Sequence, residues 1–168
     1  LICERGVITM KKLSLVSLTL GLSAVVNAGG YVVIDLEKVV ESSQYLKQQN
    51  ASLEASIKPQ ASKLEQLNKE LATLQKQSQT QGANLKQIET QYQAKMTEFT
   101  TLQQSVQSRV QTTIQNTNKT FEARVKQAAE QLRQENSLDL VLNKNAALAF
   151  DSKYDLTAKM IQKVNAIK

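Results

Sequence analysis

Side chains able to carry out acid–base or nucleophilic chemistry are sparse in this sequence. It contains no histidine and a single cysteine, Cys3, so the usual nucleophile–base pairs and soft-metal sites are missing. Two carboxylate pairs stand out, Glu65 with Glu70 and Glu130 with Glu135. Each pair is five residues apart, a spacing that does not place both groups on one helix face, so they read as solvated helix charges. No glycine-rich phosphate loop occurs. What remains is a scatter of cations, Lys58, Lys63, Lys69, Lys76, Lys86 and Lys95. Their chemistry is long-range attraction of acidic partners rather than bond making. No catalytic residue, cofactor or metal is expected.

Those lysines dot two segments that each carry an apolar stripe of helical period. The first is Leu53, Ile57, Ala61, Leu64, Leu67, Leu71 and Leu74; its steps of three and four mark one helix face. After SQTQGAN (78–84) a second stripe runs from Leu85 through Ile88, Tyr92, Met96, Phe99, Leu102, Val106 and Val110, then on to Leu132. Its period is about 3.6, so little supercoiling is expected. The stripes mirror each other. Leu71 with Tyr92, Leu67 with Met96, Leu64 with Phe99, Ile57 with Val106 and Leu53 with Val110 all have numbers summing to 163. A constant sum is the signature of an antiparallel hairpin, here residues 49–136 with a tip near 81–82. Each arm would be roughly 45 Å long at 1.5 Å per residue. Pro59, inside the first stripe, predicts a kink or a helix restart.

The ends of the chain carry other signals. From Met10 the sequence reads MKKLSLVSLTLGLSAVVNA, with two lysines, an apolar run and a small-residue cleavage site. Residues 10–28 are thus expected to be a secretory signal peptide, and residues 1–9 to be translated upstream sequence. Removing them takes away Cys3, so no disulfide can support the exported chain. Of 21 basic and 15 acidic residues, loss of Arg5, Lys11, Lys12 and Glu4 leaves 18 and 14, a net charge of +4. That is far from a nucleic-acid-binding balance, and no nucleic acid is expected. It does permit transient contact with an anionic membrane surface.

Short β-prone runs flank the arm. Tyr31–Asp35 is one; Leu138–Asn143 and Ala146–Phe150, around an Asn-Lys-Asn turn, are two more. Val32–Ile34 is expected to pair in parallel with Leu140–Leu142. Asp151 or Asp155 is expected to cap a last helix with apolar positions Leu156, Met160, Ile161, Val164 and Ile167. Three strands and two short helices make a poor independent core, so residues 29–48 and 137–168 are expected to form a body that closes with copies of itself.

This order, an export segment, YVVIDLEKVVESS, a Gln- and Lys-rich hairpin, then SLDLVLNKNAALAFDSKYDLTAKMIQKV, resembles the Skp/OmpH family of periplasmic chaperones. The final block is its most specific part, with Asp139–Leu142, Asn145-Ala146 and Asp155–Ala158. The resemblance implies a mostly helical α+β fold, a homotrimer shaped like a jellyfish, in which a β-body carries helical arms. It further implies an ATP-independent holdase that shields unfolded outer-membrane β-barrel proteins from aggregation in a cavity between the arms. Val33, Leu140, Leu142 and Phe150 would then form the trimer core, and the six lysines would face clients. The modest charge and Pro59 depart from the familiar pattern, and the former weakens the case for lipopolysaccharide binding. An exported coiled-coil spacer or envelope tether is the alternative reading of the same arms.

Overall fold

The computed structural model describes residues 30–82 and 84–168. The expected signal peptide and upstream segment lie outside these residues. Among the described residues, no helix is long and apolar enough to cross a membrane. The chain runs β1 (Gly30–Ile34), α1 (Leu36–Glu41), α2 (Gln44–Gln77), α3 (Leu85–Glu135), β2 (Leu138–Asn143) and α4 (Thr157–Ala166).

Helices α2 and α3 form the arm. Each starts at a side-chain cap: Ser43 accepts from the Leu46 N–H, and Asn84 from the Gln87 N–H. Gly82 turns the chain between them at φ +80, a conformation that glycine adopts without strain. Two ion pairs cross between the helices, Lys63 with Glu98 at 3.2 Å and Lys95 with Glu70 at 2.8 Å. Their residue numbers sum to 161 and 165, on either side of the expected 163. Leu67 and Leu71 are buried in the seam and most of the stripe is half-buried. Leu85, the apolar residue beside the tip that the register leaves unpaired, is exposed.

Helix α2 passes through Pro59 without the restart that was one of the two outcomes expected there. Proline removes the donor that would reach the Ala55 carbonyl. Both Ala55 and Pro59 are exposed, so water can take that donor's place.

The body gathers distant parts of the sequence. Strands β1 and β2 pair in parallel as expected, but one residue off the expected register: Val32 lies opposite Val141, not Leu140, and Val33 opposite Leu142. An irregularity between Gly30 and Tyr31 passes over Asp139, so Leu138 and Val141 both face the helices. There they pack with Val32, Ile34, Val39, Ala128, Leu132, Met160 and Val164. The same α3 that forms the arm therefore closes the core. It ends at Asn136, near the expected point, with Ser137 in the left-handed region.

The strand expected at Ala146–Phe150 does not form. Lys144–Ala146 makes a 3-10 turn, and the extended backbone that follows, as at Ala147, has no ladder partner in this chain. Of the two candidate caps only Asp155 serves α4, from the position before its N-cap Leu156. Asp151 accepts from the Lys153 N–H in a second 3-10 turn, and Asp155 accepts from the Thr157 N–H at the start of α4.

Polar contacts tie the parts together. Asp35, nearly buried, accepts from the Lys38 N–H and from Lys144 Nζ at 3.1 Å, while its own N–H donates to Thr157 Oγ1. At the arm's root, Asn165 accepts from the Gln44 N–H at 2.9 Å and donates to the Ser42 carbonyl. Arg124 lies 4.0 Å over the Tyr45 ring and donates to the Ile167 carbonyl. Helix α4 thus grips both ends of the junction that leads into the arm.

Two predictions follow from this packing. Pro59→Ala restores the missing donor, and the arm should gain up to about 3 kcal/mol, read as slower amide exchange across residues 55–62. The second concerns acid. The Lys38 N–H and then Lys144 hold the Asp35 carboxyl below its usual range, and the Thr157 hydroxyl and N–H do the same for Asp155. A depressed folded value means that this stability is present above about pH 4 and lost as pH falls through the folded values. Near-ultraviolet circular dichroism should show the body loosening below pH 4, and Asp35→Asn should flatten that acid transition while weakening the body at pH 7.

Candidate functional site

Two surfaces are candidates, the arm and the sheet face turned away from the core. On the arm, the six lysines divide. Lys63 and Lys95 lie against the seam and bind Glu98 and Glu70 across the hairpin, while Lys95 also lies 3.7 Å from Glu98. Lys95 lowers the Glu70 carboxyl, helped by Gln66, and Glu70 raises Lys95 in return. Lys69 is exposed and pairs along its own helix with Glu65 at 2.6 Å. Lys58, Lys76 and Lys86 are exposed.

Lys58, Lys69 and Lys76 are spaced by eleven and seven residues, three and two turns, so they form one line along α2. That line lies far from the seam residues Leu67 and Leu71. The structure therefore brings Lys63 and Lys95 together and sets Lys58, Lys69 and Lys76 on the outer side. Sequence reasoning missed Glu98 and Glu70 as cross-arm partners. The constant sum that located the apolar pairs would also have found them, since both ion pairs fall within two of it.

The carboxylates of the lower arm are likewise engaged. Arg133 chelates Glu130 through two nitrogens and, with Gln134, holds its carboxyl at about 2. Lys163 reaches Glu135 from α4 at 2.5 Å. These groups are structural ties within the root. Among the described residues, no three His, Cys, Asp or Glu side chains converge as metal ligands do.

The second surface is the outer sheet face. Tyr31, Val33, Leu140 and Leu142 point to it, because Val32 and Val141, their neighbours along each strand, point to the core. Val33 is fully buried within its own chain. The segment before α4 runs along the edge of β1 beside it, with Asp155 bridged to Val33 and the Leu156 N–H donating to the Val33 carbonyl. Leu142 and Phe150 are half-buried. Leu140 remains 55% exposed and Tyr31 45% exposed, the latter stacked on Tyr154 at 4.8 Å. Leu148 stands wholly in solvent. Sequence reasoning singled out four residues here and missed Tyr31 and Leu148. The period-two spacing of Leu148 and Phe150 was the available signal.

The comparisons agree with this architecture. The model of the OmpH family, outer membrane protein (OmpH-like), matches residues 30–164. No curated protein matches. Among solved structures, an OmpH-like protein from Caulobacter crescentus CB15, proposed as an outer membrane chaperone, aligns with a TM-score of 0.68 and 21% identity. The alignment covers 82% of this chain and 85% of that one. At that identity the likeness concerns the fold: a long helical hairpin rooted in a small parallel strand pair. With the family model spanning nearly all of the described residues, from β1 into α4, this chain belongs to the OmpH-like family.

Proposed function

We propose that this protein is an exported, ATP-independent holdase that assembles as a homotrimer in the periplasm and shields unfolded outer-membrane β-barrel proteins from aggregation. The observation that carries the reading is the unequal distribution of apolar surface. The arm buries Leu67 and Leu71 in its own seam and half-buries most of its stripe, whereas the body leaves Leu140 and Tyr31 of the outer sheet face, and Leu148 nearby in sequence, exposed. After β2, Ala147 is extended and has no ladder partner in its own chain. Copies of the same chain would satisfy both needs, with Leu140, Leu142 and Phe150 at the shared face and Val33 beneath it.

Three arms rising from such a body enclose a space. Their surfaces are rich in Gln, Thr, Asn and Lys, suited to many weak contacts rather than one tight one. That matches a protein that must release its client without fuel. The outward lysines Lys58, Lys69, Lys76 and Lys86 would steer acidic clients toward the arms, an effect on capture rate that salt reduces. The same weak positive field would allow passing contact with an anionic membrane surface.

Two measurements test this. The mass of the exported protein in solution should equal three chains; a monomer would remove the enclosure. Next, an outer-membrane β-barrel protein is diluted from urea without ATP and its light scattering followed. The intact protein should suppress aggregation near one trimer per client. A form in which Ser52–Val110 is replaced by a short Gly-containing turn should remain assembled and fail to protect. Equal protection by the armless form would place clients on the body. No protection by the intact protein would favour an envelope spacer.

A further inference from the structure

The two flanks of the hairpin arm differ in chemistry. One carries the cross-arm ion pairs of Lys63, Glu70, Lys95 and Glu98, and an open groove lined by Gln91 and Ala94 as well as Lys69, Glu70 and Lys95. Along the opposite edge of the seam, three apolar side chains of the α3 stripe stay partly exposed: Leu85 at 59%, Met96 at 36% and Ile114 at 47%. They are eleven and eighteen residues apart, three and five helical turns, and so lie in one line. Grooves flank both ends of it, one beside Leu85 with Leu74, Ile88 and Tyr92, the other beside Ile114 with Leu46 and Leu53. Neither groove contains a lysine or arginine, and the two together contain one acidic residue, Glu89.

The side chains between the apolar points are amides. Gln103 and Gln107 continue the line from Met96 to Ile114 in steps of seven, four and seven, and both are exposed. Across the seam, Asn50, Ala61 and Asn68 of α2 hold the corresponding flank. The 3.6 period of the seam keeps each flank in place along the arm, whereas a 3.5 period would wind it around.

We propose that this charge-poor flank is the surface on which the arm holds an extended, unfolded polypeptide. The inference rests on the holdase reading above and names the surface that does the holding. The flank's lack of cations makes it a poor site for phosphate or an anionic headgroup. A folded second copy is a poor fit too. Three separated side chains offer on the order of a few hundred Å², against roughly 1,200 Å² in a stable interface. An extended chain suits the spacing. The apolar points are about 16 Å and 27 Å apart along the helix, which an extended chain spans in roughly five and eight residues. Amides between them can pair with the peptide groups of a chain that has no secondary structure of its own. The ion-pair flank has its charges bound to one another and turns the other way.

The test places a benzophenone label on one flank or the other of the full-length protein in a Cys3→Ser background. Gln103→Cys and Gln107→Cys report the amide flank; Gln91→Cys and Ala94→Cys report the ion-pair flank. All four positions are exposed, so the arm should fold in each variant. A urea-unfolded outer-membrane β-barrel protein is the probe, captured by dilution and irradiated. Labels at 103 and 107 should cross-link to it and those at 91 and 94 should not. A second variant, Met96→Gln with Ile114→Gln, should keep its helical circular dichroism and release the held client roughly tenfold faster. Equal cross-linking from both flanks, preference for 91 and 94, unchanged release, or protection from aggregation with no cross-link from the arm would each overturn the assignment. If the intact protein gives no protection at all, the holdase reading fails first, and the partner named here falls with it.

Discussion

Two helices that pack only on each other can bury one stripe apiece, and that limit governs the rest of this molecule. No third layer covers the arm, so each seam residue must meet its opposite number or lie open. Leu67 and Leu71 are buried, whereas Leu85, which has no counterpart, is exposed. The remaining faces must be soluble without being buried, which explains the abundance of Gln, Thr, Ser and Lys along both helices. The same limit makes Pro59 tolerable, since it falls on the exposed side where water can replace the lost donor.

A long arm with a thin seam needs a firm root, and the body supplies one by sharing a helix with the arm. Helix α3 runs from beside the tip into the core, where Ala128 and Leu132 are fully buried among residues of β1, β2, α1 and α4. Helix α2 has no such extension. It begins at a junction, Ser42-Ser43, that Asn165 holds from both sides and Arg124 steadies through Tyr45. One arm helix is thus anchored by apolar burial and the other by polar clamps from α4.

Electrostatics follows from this geometry. The cross-arm pairs sit at the edge of the seam, where Lys63 and Lys95 can reach the facing helix and each meets an acid. Lysines farther round the helix cannot reach across and keep their charge toward water. A modest net charge therefore acts chiefly from the outer side, while one flank of the arm is left with amides and isolated apolar side chains. Capture at a distance and holding on contact would fall to different residues of the same arm.

Periodicity alone revealed the hairpin, its register and the apolar face of α4, because each is a local repeat that burial enforces along one helix. The parallel pairing of β1 with β2 was legible as well, from two β-prone runs joined by a helical crossover. The chain's own residues could not reveal which lysines pair across the hairpin, since Lys63 and Lys69 look alike until the second helix is in place. Nor did they show that Val33 is buried within its own chain while Leu140 is not, or that the segment before α4 runs along the edge of β1 at Val33. The strand expected at Ala146–Phe150 has β-prone residues but no neighbour to pair with. Strand propensity belongs to a residue, whereas a strand belongs to the pair that shares its hydrogen bonds, and only the tertiary structure decides who the neighbour is.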